Sequence, residues 1–185
     1  MIDNIYNGMG ITIIKADLYF PLEEQKPVNN PKLIIVHRNN RDNESIYELE
    51  ERQQNKSGFK YHYYVRKDGT IIAGRMEYMA SNHCKDHSND SIAICLEGRY
   101  DEEVNKKQFS YLQRLIQDIQ SRRGMMTVYA HNELDNDVIC PGDKELFPIN
   151  LLRSNLQICG HPGDLPECEY KRRIESDPHR WNPLP

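Results

Sequence analysis

No stretch of this 185-residue chain is apolar over the ~20 residues that a membrane-spanning helix requires. Its first residues, Met1-Ile2-Asp3-Asn4, lack the positively charged start and apolar core of a secretory signal. A basic excess is missing too. The net charge is -4 and the pI is near 6.0, which gives no basis for non-specific nucleic-acid binding. The short clusters Arg122-Arg123 and Lys171-Arg172-Arg173 read as solvated faces, the first at the end of a helix where cations suit the dipole. Internal repeats and low-complexity tracts are absent. So is a disulfide framework, because the cysteines are odd in number (Cys84, Cys95, Cys140, Cys159 and Cys168) and their spacing suggests no pairing. These absences together lead us to expect a protein that is cytoplasmic at synthesis. If it acts outside the cell, another device must release or deliver it.

What is present describes a polar-surfaced globular chain, 38% hydrophobic and 28% charged, long enough for one domain with a substantial core. Residues 10–15 are β-branched and predict a strand. Pro21 to Pro31 is proline-punctuated and predicts a linker or surface loop. Leu33-Ile34-Ile35-Val36 predicts a buried strand closed by His37. Asn43 is a candidate cap for a helix over Glu44 to Lys56, ended by Ser57-Gly58. A hairpin follows, with strands 61–66 and 70–73 around the turn Lys67-Asp68-Gly69. Residues 74–90 show no periodicity. Ser91 to Gly98 is nearly continuous in apolar character, as expected of a central strand. Leu112, Leu115, Ile116 and Ile119 fall at helical spacing and predict a helix from Phe109 to Arg123, stopped by Gly124. Met126 to Ala130 predicts another strand, and a short helix begins near Pro148. This order of elements predicts an α/β single domain: a mixed central β-sheet flanked by α-helices, with an irregular C-terminal tail. The expected divisions are 1–30 (N-terminal strand and linker), 31–155 (the main domain) and 156–185 (tail).

The chemistry concentrates where the 126–130 strand delivers His131 and the chain later reaches Cys140, turning at once through Pro141-Gly142. Imidazole nitrogen and thiolate sulfur both suit zinc, and a catalytic zinc site typically has three protein ligands and a water. His37, at the end of its own strand, is the candidate third ligand. Taken singly, a strand-end histidine is more often a hydrogen-bonded structural residue, and a buried cysteine usually packs as a small hydrophobe.

Leu33-Ile-Ile-Val-His37, Tyr61-His62-Tyr-Tyr-Val-Arg-Lys-Asp-Gly69, Asp90-Ser-Ile-Ala-Ile94 and Ala130-His131 to Cys140-Pro141 occur in that order. This ordered set resembles the zinc N-acetylmuramoyl-L-alanine amidases, especially phage amidase endolysins, and the related peptidoglycan recognition proteins, over roughly residues 31 to 155. The resemblance implies the corresponding fold, with zinc held by His37, His131 and Cys140 and Tyr61 beside the metal as a catalytic residue. It also implies cleavage of the amide between N-acetylmuramic acid and L-alanine, with bacterial peptidoglycan (muramyl peptides) as partner and neither nucleic acid nor membrane. Glu97 sits near the acidic position that some members use as a base, but Cys95 stands where that carboxylate would align. Members commonly place lysine or threonine two residues before the last ligand, where this chain has Val138. That donor's role would pass to Asn136, Asp137, Arg38 or a backbone N–H, or activity would be reduced.

Two rival functions remain open at this stage: a binding module that holds cell-wall fragments without cutting them, and a zinc hydrolase of another amide. His62 alternates to the face opposite Tyr61 and reads as structural or exposed. His83 and His87 read as lining a substrate groove rather than binding metal. In the tail, Cys159, His161, Cys168 and His179 allow a structural zinc, a disulfide or simply exposed thiols, and the spacing favours none of these.

Overall fold

The computed structural model describes residues 3–20, 28–53, 58–99 and 104–154. The chain divides into two units, Met1–Asn155 and Leu156–Pro185. The second unit lies outside the described residues, and with it the tail cysteines, His161, His179 and the Lys171-Arg172-Arg173 cluster. Most of the proline-punctuated segment and the end of the helix near Lys56 also fall outside them.

Among the described residues seven strands form one sheet: β1 (Asp3–Gly8), β2 (Ile11–Lys15), β3 (Leu33–Arg38), β4 (Tyr63–Val65), β5 (Ile71–Ala73), β6 (Ser91–Leu96) and β7 (Thr127–Ala130). Their order is β1-β2-β5-β4-β6-β3-β7. β1–β2 and β4–β5 are antiparallel, whereas β2–β5, β4–β6, β6–β3 and β3–β7 are parallel, so the sheet is mixed as expected. β6 lies between β4 and β3 with every residue buried, which explains its unbroken apolar sequence.

The period-2 alternation of the strands sorts side chains onto two faces. Ile34, Val36, Ile92, Ile94 and Leu96 point to one face. There they meet Leu112, Leu115, Ile116 and Ile119 of α2 (Lys106–Arg123), together with Ile149 and Leu152 of α4 (Ile149–Arg153). Tyr64 and Cys95 point the other way, against Ile46 and Leu49 of α1 (Ile46–Gln53) and against Phe59. The site residue His37 follows Val36, so it projects on the α1 face.

Two helix starts differ from the sequence expectation. Asn43 does not cap α1; it sits in a left-handed conformation (φ 56) within a turn. The cap is Ser45, whose Oγ accepts from Glu48 N (3.2 Å) while Glu48 Oε2 accepts from Ser45 N (2.7 Å), a reciprocal capping box. Glu44 is withdrawn into the interior, paired with Arg52 and Asn39. α2 begins before Phe109, at Lys106, with Asn105 Oδ1 accepting from Gln108 N. Its first turn has no apolar residue to betray it. Gln108 is nevertheless buried, and its Nε2 donates to Val65 O and Glu97 O, fastening the helix to β4 and to the residue after β6.

Arg122 and Arg123 do more than face solvent. Both reach Glu77 in the irregular 74–90 segment, and Arg122 also pairs with Asp118. Burial opposes the charge on Glu77, yet hydrogen bonds from Arg122, Tyr63 and Arg123 hold its carboxyl down at about 2. His62 pins the same segment from inside. Its Nδ1 accepts from Ala93 N and its Nε2–H donates to Met79 O, so it is structural and buried rather than exposed.

Burial lowers His62 to about 4, which favours the neutral ring in the folded state. The unfolded chain therefore binds more protons below its own value near 6.5, and this contribution is complete above that pH and lost as pH falls towards 4. The expected loss is roughly 3 kcal/mol of unfolding free energy across that window. Urea unfolding of wild type and His62→Gln at pH 7 and 4.5 checks it: the variant should show the flatter pH dependence.

Candidate metal centre

The site is assembled by strand register. β3 and β7 run parallel with Val36 opposite Ala130, and the next residue on each strand is a histidine. His37 and His131 therefore emerge side by side at the carboxyl ends of adjacent strands, with ring centroids 4.4 Å apart. His131 opens the short helix α3 (His131–Leu134), whose presence in the expected loop the sequence pattern did not announce. Glu133 holds that turn in place, accepting from Ala130 N and from Arg153 of α4.

Cys140 is returned to the histidines by the residue next to His131. Asn132 N donates to Cys140 O (2.8 Å), and Asn132 Nδ2 donates to Gly142 O (2.7 Å), clamping the Cys140-Pro141-Gly142 turn. The sulfur lies 3.8 Å from His37 Nδ1 and accepts from Arg38 N at 3.3 Å. The loop leaving β3 is held by Asn39, which is buried. Its Nδ2 donates to Glu44 and to the Tyr64 hydroxyl, and its Oδ1 accepts from Arg41 N and Gly98 N.

One donor atom from each of His37, His131 and Cys140 lies within 4.8 Å of the others. Zinc–nitrogen and zinc–sulfur bonds at tetrahedral angles put ligand atoms about 3.3–3.6 Å apart, so a small contraction closes this set on one ion. The donor set fits a thiophilic divalent cation with an open fourth position. Its electrostatics suit the same end. Burial, and then the neighbouring His83, His131 and His62, hold His37 well below its ordinary value. Burial likewise lowers His131, against the opposing pull of Asp135. Both imidazoles thus keep lone pairs for a cation. Burial pushes the Cys140 thiol up to about 11, with the Arg38 N–H working against it.

Tyr61 packs on the same centre, its ring 5.3 Å from that of His37, two residues before β4 begins. Burial and the nearby Cys95 and Cys140 sulfurs raise its phenol well above the ordinary value, so it stays a donor. Cys95 lies opposite His37 in the β3–β6 register, and its thiol donates to Leu96 O at 3.8 Å. Glu97 is committed elsewhere: it is buried and engaged by Arg66 and Lys67 N. Asn136 is exposed and accepts from Lys144, and Val138 is half-buried with no side-chain donor.

His83 and His87 behave differently from each other. His87 pairs with Asp90 near the surface. His83 is buried, and its Nδ1 is 2.9 Å from His37 Nε2. With His131, Asp135 and Cys84 it also lines a depression of about 330 Å³ beside the donors. The irregular spacing around His83 gave no signal that it would touch a candidate ligand.

A model of the N-acetylmuramoyl-L-alanine amidase family matches residues 27–143. The endolysins of Escherichia phage T7 and Enterobacteria phage T3 are 29% and 28% identical over 80 residues, 40% of this chain. The chain spans about half the length of these relatives, 53% in both cases. Among solved structures, an endolysin N-acetylmuramoyl-L-alanine amidase from Clostridium intestinale superimposes with a TM-score of 0.68 at 26% identity, covering 78% of this chain and 94% of that one. The Drosophila peptidoglycan recognition protein LB, solved with tracheal cytotoxin, shares the fold (TM-score 0.63, 17% identity, 78% of this chain and 94% of that one).

The protonation states yield a thermodynamic test. At pH 7–9 the metal-free Cys140 is a thiol and both histidines are neutral, so binding a cation through the thiolate releases one proton. Zinc affinity should then rise at least about tenfold per pH unit over that range, since the thiol must be deprotonated and ionisation of a zinc-bound water adds to the slope. Calorimetry in buffers of differing ionisation enthalpy reads the proton count directly. A release near zero would remove Cys140 from the ligand set.

Proposed function

The chain belongs to the N-acetylmuramoyl-L-alanine amidase family, and on that premise we propose that it is a zinc-dependent peptidoglycan hydrolase cleaving the amide between N-acetylmuramic acid and the L-alanine of the stem peptide. The observation that carries this reading is the convergence of His37, His131 and Cys140 at the ends of two paired strands. Zinc held by these three would supply Lewis acidity, activating a water and polarising the scissile carbonyl.

The remaining work belongs to the chain's own groups. Tyr61 would donate to the oxygen that gains charge as the amide carbon becomes tetrahedral. Burial raises its phenol well above the ordinary value, so the hydroxyl keeps the proton that a developing oxyanion would accept. The depression beside His83 and His131 leaves room for the stem peptide to approach the donors. Val138 contributes no second donor, so Tyr61 bears more of the oxyanion stabilisation than it would beside a lysine. The substrate lies outside the cytoplasmic membrane, so we place the protein among lytic enzymes that act after release or delivery, such as phage or prophage lysins.

Mass spectrometry of purified peptidoglycan after incubation with zinc-loaded protein tests the activity. Free stem peptides and unsubstituted glycan are expected; intact muropeptides would leave the binding-module reading in its place. His37→Ala and Cys140→Ala should lose the metal, and with it the stabilisation that comes from binding only the folded state. Full zinc occupancy in both would overturn the ligand assignment.

Tyr61→Phe removes only the hydroxyl. It should lower kcat by at least ~10²-fold at unchanged zinc content, the scale set by deleting one preorganised donor. A rate within about a factor of two of wild type would assign oxyanion stabilisation to another group.

A further inference from the structure

His83 takes no part in the chemistry above, yet both of its ring nitrogens are engaged. Nδ1 meets His37 Nε2 at 2.9 Å, and Nε2 meets Ser91 Oγ at 2.9 Å. Ser91, fully buried at the start of β6, continues the path to the backbone carbonyl of His87.

The direction of every bond on this path is forced. A carbonyl only accepts, so the single hydroxyl hydrogen of Ser91 goes to His87 O. Ser91 Oγ must then accept from His83, which places the His83 proton on Nε2. A neutral His83 so protonated has its lone pair on Nδ1, and it accepts from His37 Nε2–H. His37 is left with its lone pair on Nδ1, the nitrogen that faces Cys140 Sγ. The opposite polarity would require a charged ring at His83, which is buried against the rings of His37 and His62, and removing that charge from water disfavours it.

We propose that the His87 carbonyl, Ser91 and His83 form a positioning relay that fixes His37 as the Nε2–H tautomer before any ion arrives. The relay presets the lone pair on the metal-facing nitrogen, and His83 and Ser91 are positioning residues acting through His37. The proposal rests on the reading of His37, His131 and Cys140 as the zinc ligands. Metal-bound histidines commonly have their second nitrogen fixed by a carboxylate or carbonyl. Here a second imidazole and a hydroxyl carry that constraint from a carbonyl further away.

Two measurements test it. In chelator-stripped wild-type protein, long-range ¹⁵N–¹H histidine spectra should show His37 protonated at Nε2 alone, and Ser91→Ala should show a mixture of tautomers. The zinc dissociation constant of Ser91→Ala, read by competition with a chromophoric chelator, should weaken about 10–100-fold, the range typical of removing such a partner. A purely structural role for Ser91 would lower thermal stability without moving the tautomer. Wild-type His37 protonated at Nδ1, or a Ser91→Ala zinc constant within about twofold of wild type, against that range, overturns the relay alone. Wild-type protein that binds no zinc overturns the metal-centre reading, and the relay's purpose with it. If Ser91→Ala does not fold, the wild-type spectrum decides.

Discussion

The parallel, in-register pairing of β3 with β7 is the constraint on which the rest of the site depends. Because side chains alternate along a strand, a slip of one residue would turn either histidine to the opposite face. Register is protected by what lies before the histidines. Ile34, Val36, Val128 and Ala130 all enter the core packed beneath α2 and α4, so slippage would expose apolar side chains along two strands at once. The candidate metal donors are thus located by hydrophobic burial several residues away. The hydrogen-bonded clamps of Asn132 and Asn39 then fix only the loops that follow.

That division explains what the sequence made legible. Strands β3, β6 and β7 and the middle of α2 could be read because their apolar periodicity is the same force that holds them in place. His37, His131 and Cys140 could be read because each terminates such a run or precedes a turn. The starts of α1 and α2 could not be read from periodicity, since polar contacts set both of them: Ser45 with Glu48, and Asn105 with Gln108. The inward turn of Gln108 and Glu44, both polar residues with buried partners, carries no apolar signature.

His83 illustrates the same limit in the site. It lies in a stretch without period, and its significance comes from a tertiary contact with His37 across 46 positions of sequence. Arg122 and Arg123 err in the opposite direction: they suit a solvated helix end by composition, but Glu77 and Asp118 recruit both into a network that ties the irregular segment to α2. Tyr61 depends on that segment too, since Arg75 N donates to its carbonyl.

The β1–β2 pair joins the sheet at β5, at the margin opposite β7. It precedes the stretch matched by the family model, which begins at residue 27. Strands pair about 4.8 Å apart, so four strand steps place β2 roughly 19 Å from β3. That distance exceeds the range of about 7–10 Å within which substitutions commonly couple. Changes along β2 and changes among the metal donors should therefore combine additively. The two margins of the sheet are free to vary as separate thermodynamic parts.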